Sequence, residues 1–149
     1  AASEGVTTSS GSGASRRSLS AQAKADHLKA IEKWEYIVSH PSEDSGIVGV
    51  AYYNAAAAYF RLEQYESAIQ RCTQLLERLP EHEDAWRAQF LIAKVYKRQM
   101  DNPAADTAAL QLSMQQALER LVQRYPTCPA APGALRSLQA SSNSEGGRK

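Results

Sequence analysis

In the stretch from Arg87 to Arg98, "RAQFLIAKVYKR", the cations Arg87, Lys94, Lys97 and Arg98 recur with Phe90 and Leu91 at three- and four-residue steps. On a helix those positions share one face. Fixed cations beside an aromatic ring are the chemistry of anion recognition: ammonium and guanidinium groups neutralise carboxylates while the ring supplies apolar contact. A second face of the same kind, Tyr53, Asn54, Ala57, Phe60 and Arg61, precedes it, and Phe60 beside Arg61 is the composition of an interface hot spot. The ordinary account of "KVYKRQ" is a solvated helix end whose cations favour the dipole. Sequence alone supports both accounts.

Catalytic chemistry finds no foothold. The chain has no phosphate-cradling glycine loop, no HExxH and no nucleophile elbow. Glu81, Glu83 and Asp84 cluster at a helix start, where acids stabilise the dipole. His27, His40 and His82 are far apart, and His82 with Asp84 offers a single pair of candidate ligands, so His82 is expected in a solvated loop. The two cysteines are too few for a disulfide scaffold. They are expected as free thiols, Cys72 on the buried stripe of a helix and Cys128 in a turn beside prolines. No catalytic residue, metal site or cofactor is expected.

The elements that position these residues are helical. Of 149 residues, 43% are hydrophobic, enough for one domain with a real core. Seventeen basic against sixteen acidic side chains leave a net charge of +1, without the footprint of a general nucleic-acid or anionic-membrane binder. No apolar run approaches the roughly 18 residues of a membrane span, so the chain reads as soluble or membrane-peripheral. The apolar period predicts a first helix from an N-cap at Ser20 to the break "HPSEDSG", then helices over 45–62, 65–79, 83–99 and 107–125. A shorter sixth starts near Pro129 or Pro132. No window alternates with period two, so the class is all-α.

An internal repeat orders these helices. "CTQLLERLPEHEDA" at 72–85 superposes on "LERLVQRYPTCPAA" at 118–131 with a constant offset, pairing Leu75 with Leu121 and Pro80 with Pro126. A fainter copy, "WEYIVSHPSED", lies at 34–44. Such self-similarity marks a helical solenoid, in which each pair buries its apolar stripe against the next. Within it, Tyr52, Ala55, Ala56 and Tyr59 form one stripe, two alanines making a notch between two tyrosines for a neighbouring helix.

Residues 51–80 resemble one tetratricopeptide repeat. Tyr52 takes the leading aromatic position, Ala55 stands where leucine is usual, and Ala56, Tyr59, Ala68 and Pro80 match the small, aromatic, second-helix and terminal positions. In the second copy Ala93 and Tyr96 match, "MDNPAADTA" lengthens the turn, and Met114 stands where the second-helix alanine would be. "RYPTCPAAPGAL" is similar to the repeat ends of bacterial cell-envelope tetratricopeptide proteins, including outer-membrane assembly lipoproteins. The resemblance covers about residues 27–140 and implies a short right-handed α-solenoid that binds proteins without catalysis. It places Tyr53, Asn54, Ala57, Phe60 and Arg61, with Arg87, Phe90, Leu91, Lys94, Lys97 and Arg98, along a concave groove, aromatic at one end and basic at the other. Asn54 matches the carboxylate-clamping subset, but that subset's companion cations are absent, so chaperone-tail binding is not implied.

The ends differ from this repeat region at 20–140. Residues 1–19 are rich in Ser, Gly and Thr, and 141–149 repeat that composition, so both read as flexible. The arm carries Arg16 and Arg17 and begins with Ala, as an organelle-targeting stub or a trimmed bacterial export segment would. On a partner, the arm is expected to order with Arg16 or Arg17 near a carboxylate or lipid phosphate; the alternative is a bare linker. The functional expectation is a small accessory or assembly subunit docking onto protein subunits of a larger complex. It is placed in an organelle, plastid before mitochondrion, at a membrane complex such as those of the thylakoid. No nucleic-acid partner is expected. The alternatives are an organellar helical-repeat RNA binder and a periplasmic envelope-assembly protein.

Overall fold

Ser20 opens the first helix by accepting, through its Oγ, the Ala23 N–H at 3.1 Å, and Asp44 caps the second through Gly46 and Ile47 N–H. The computed structural model describes residues 18–40 and 43–147. Six helices follow one another: α1 Ala21–Ser39, α2 Ser45–Arg61, α3 Tyr65–Arg78, α4 Ala85–Gln99, α5 Thr107–Arg124 and α6 Ala131–Gly146. Among the described residues there is no strand, and the architecture is an all-α, tetratricopeptide-like stack in which each helix packs on the next. No helix among the described residues is long and apolar enough to cross a membrane.

Small residues on α2 do what their spacing predicts. Ala55 and Ala56 are fully buried and Tyr52 is 1% exposed. α2 lies against α1 and α3 and also touches α4, and its many small side chains let three neighbours approach. Tyr59 is half-buried, its hydroxyl donating to Glu35 Oε1 at 3.1 Å. Arg71 of α3 reaches the same carboxylate through both Nε and Nη2, fastening α1 and α3 across α2.

The sequence repeat is a backbone repeat shifted by 46 residues, as from Pro80 to Pro126. Leu79 N–H donates to Leu75 O at 2.8 Å, and Tyr125 N–H to Leu121 O at 2.8 Å. The pairs His82 to Leu79 and Cys128 to Tyr125 follow at 3.0 and 3.1 Å, then Ala85 to His82 and Ala131 to Cys128 at 3.0 and 3.1 Å. Burial repeats as well: Leu75 and Leu121, Ala85 and Ala131, and Ala88 and Ala134 are all 2% exposed or less. The copies are tied by the Tyr125 hydroxyl donating to Pro80 O at 2.9 Å. A buried bond from Gln89 Nε2 to Ala117 O joins α4 to α5.

Three local expectations change. α4 begins at Ala85 because residues 82–84 form a turn closed by Ala85 N–H on His82 O. His82 is a strut: its Nε2–H donates to Gly46 O at 3.0 Å while Nδ1 accepts the Asp84 N–H at 3.0 Å. α6 continues to Gly146 through residues 141–146, which composition assigned to the tail. There the Ser141, Ser142 and Ser144 hydroxyls donate to carbonyls one turn back, bonds that a helix accommodates.

Candidate functional site

α2 packs on α4, but no Cα of α4 comes within 8 Å of one in α6. Between α4 and α6, floored by α5, lies a cleft of about 730 Å³. Its apolar surface is made by Trp86, Phe90, Leu91 and Ala93 of α4, Met114 and Leu118 of α5, and Pro129, Ala130 and Ala134 at the start of α6. Trp86, Phe90 and Met114 rest on a buried cluster that includes Ala93, Leu118, Leu121 and Cys128, so the floor is continuous with the core.

Cations stand on this floor rather than beyond it. Lys94 Nζ lies 4.6 Å from the Phe90 ring centroid and the Arg87 guanidinium 5.5 Å from that of Trp86, the geometry of cation–π contacts. Arg87 also pairs with Asp84 at 3.1 Å. Lys97, one turn beyond Lys94, and Arg136 on α6 complete four cations, and among the described residues no Asp or Glu lines the cleft. Tyr53 closes the α2 side. Burial raises its phenol pKa above the usual tyrosine value, with the Arg87 charge opposing, so it remains a neutral hydroxyl.

The structure therefore divides the predicted groove. Tyr53, Arg87, Phe90, Lys94 and Lys97 meet in the cleft, as does Leu91, which is almost wholly buried. Phe60, Arg61 and Arg98 instead line a second hollow of about 790 Å³, with Leu19, Lys24 and Leu28. Arg98 sits 5.7 Å over the Phe60 ring. Although it shares a face with Arg87, it lies eleven residues on, roughly 16 Å along the axis. Asn54 and Ala57 line neither hollow; Ala57 packs on the core because α4 sits close against α2 there. The expected separation into an aromatic end and a basic end is replaced by ring–cation pairs. Arg16 and Arg17, and the arm's conformation, lie outside the described residues.

Trp86, Met114, Pro132 and Arg136 also line the cleft, and sequence reasoning missed them. The repeat held a signal for three of them: the 46-residue shift carries Trp86, Arg87 and Phe90 onto Pro132, Gly133 and Arg136, which sets α6 opposite α4 as a second wall. Cys72 and Cys128 are free and buried, Cys128 in the cluster beneath the cleft. Burial pushes the Cys72 thiol up to about 12. Among the described residues no group of three His, Cys, Asp or Glu could hold a metal ion.

None of the curated proteins matches this chain. The family described as YfiO, outer membrane lipoprotein, matches residues 12–144, which takes in all six helices except the end of α6. With nine-tenths of its length inside that match, the chain belongs to the YfiO outer membrane lipoprotein family.

Proposed function

We propose that this protein is a non-catalytic scaffold of the bacterial envelope that holds another protein in the α4–α6 cleft during outer-membrane assembly. The family favours the periplasmic envelope alternative; the plastid and thylakoid placement has no support. The observation that carries the reading is the cleft itself, an apolar floor joined to the core and bordered by cations, with no carboxylate between them among the described residues. Such a surface desolvates an apolar anchor while the charges set orientation.

Site-specific photo-crosslinking tests it in bacterial cells that carry the protein. A benzoylphenylalanine at Phe90 is expected to join the chain to a component of the outer-membrane assembly machinery, whereas the same group at the exposed α5 residue Glu119 is not. No adduct at Phe90, or equal adducts at both positions, refutes the assignment.

A further inference from the structure

The cleft's charges are not balanced as the whole chain's are. The protein has seventeen basic and sixteen acidic side chains, yet among the described residues the cleft is lined by Arg87, Lys94, Lys97 and Arg136 and by no acid. Arg87 is partly matched from outside by Asp84. The Lys94 ammonium is held over Phe90, so an anion meeting it also meets a ring face. From Arg87 to Lys97 is ten residues, about 15 Å along α4, and an extended chain covers that in four or five residues at about 3.3 Å each. A single carboxylate cannot serve cations spread over this length and over a second wall.

We infer that the cleft takes an extended internal segment of a partner protein, in which side-chain carboxylates several residues apart flank a large apolar residue seated on Phe90. This rests on the scaffold reading and adds the chemistry of the partner. The side-chain carboxylates bind along the α4 rim and to Arg136, and the apolar residue enters between them. The segment runs through the cleft rather than ending in it.

The test uses the full chain and a fluorescent, C-terminally amidated peptide of roughly 12 residues, with glutamates before and after a central phenylalanine at the four- to five-residue spacing that an extended chain requires. The controls are the same peptide with Gln for Glu, a free-acid peptide without internal glutamates, and phosphatidylglycerol vesicles. The amidated Glu peptide is expected to bind, and the Gln peptide at least about tenfold more weakly, the size expected for losing charge-assisted contacts. Lys97→Glu should weaken the Glu peptide by a similar factor while the protein stays folded, its melting temperature lowered by a few degrees at most, since Lys97 is exposed and its charge acts otherwise only on the last turn of α4. Equal binding of the Gln peptide, or binding only of the free-acid peptide, overturns the inference. Failure of every peptide also overturns it, as does binding of the vesicles alone, which would assign the cations to a lipid surface. If the Phe90 crosslinks persist while the peptides fail, the scaffold reading survives and this partner chemistry does not.

Discussion

A methyl group added at Gly49 tests how α4 is held in place. An ideal Cβ at Gly49 would stand 2.2 Å from His82 Cδ2, 2.4 Å from Nε2 and 2.6 Å from Cγ, distances that no relaxed contact reaches. The imidazole cannot step aside freely, because both nitrogens are engaged, with Gly46 O and with Asp84 N–H. Gly49→Ala must therefore cost most of two hydrogen bonds, about 1–3 kcal/mol. Against this, alanine in a helix interior is favoured over glycine by about 1 kcal/mol. The net expectation is destabilisation by up to about 2 kcal/mol, read as a lower urea midpoint with an unchanged slope.

The background decides the mechanism. In a His82→Ala protein the ring is gone, and Gly49→Ala should then stabilise by about 1 kcal/mol through helix propensity alone. The cycle predicts a coupling of about 1–3 kcal/mol, within the range for residues in contact. A Gly49→Ala protein more stable than the parent, or additive effects of the two changes, refutes the strut.

Three further outcomes follow from the core. Ala56→Leu, at a fully buried position, should cost about 1–3 kcal/mol through overpacking, and calorimetry should show the melting temperature falling by several degrees. At pH 8 a thiol titrating at about 12 is thiolate in about one molecule in ten thousand, so native Cys72 should resist iodoacetamide and react only once urea unfolds the chain. Peptide mapping after labelling checks this. Arg71→Ala removes both bonds to Glu35, whose pair is partly exposed at 19% and 26%. Solvent screening reduces the loss to about 1 kcal/mol, measurable by urea unfolding, and an effect above about 3 kcal/mol would mean that the pair behaves as fully buried.

The helices were legible because their apolar residues recur every three or four positions and because Ser20 and the prolines mark ends that the structure uses. The α2 notch was legible for the same reason: alanine at Ala55 and Ala56 has one obvious use between Tyr52 and Tyr59. The cations of α4 were legible as a face, but a face does not say what stands opposite. Arg98 shares that face and still belongs to another hollow, since distance along the axis separates it from Arg87. His82 looked solvated because its partner, Gly46 O, lies 36 residues away and glycine gives no pattern to read. The far end of α6 was illegible because serine-rich composition carries no apolar period, while its hydroxyls bond back to the helix.

Three exchanges of residues and a longer turn distinguish the closed first copy of the repeat from the open second. Matching Ala56 with Ala93 and Tyr59 with Tyr96 shifts α2 onto α4 by 37 residues, which sets Trp86 at the place of Gly49. The 46-residue shift sets Cys128 at the place of His82. Around α2, the glycine lets the following turn come into contact, so that His82 bonds to Gly46 O and α4 closes on α2. Around α4, an indole fills that position and packs with Cys128 in the second cluster. Ala57 and Lys94 correspond under the same shift, one packed on the core and the other exposed over Phe90. The connection from α4 to α5, residues 100–106, is also longer than that from α2 to α3, residues 62–64. Where the first copy places small residues and a short turn, the second places Trp86, a lysine and a longer turn. The resulting gap between α4 and α6 is the cleft. Its apolar floor is therefore made of the side chains that hold it open, whereas Lys97 on its rim is exposed and stands outside that packing.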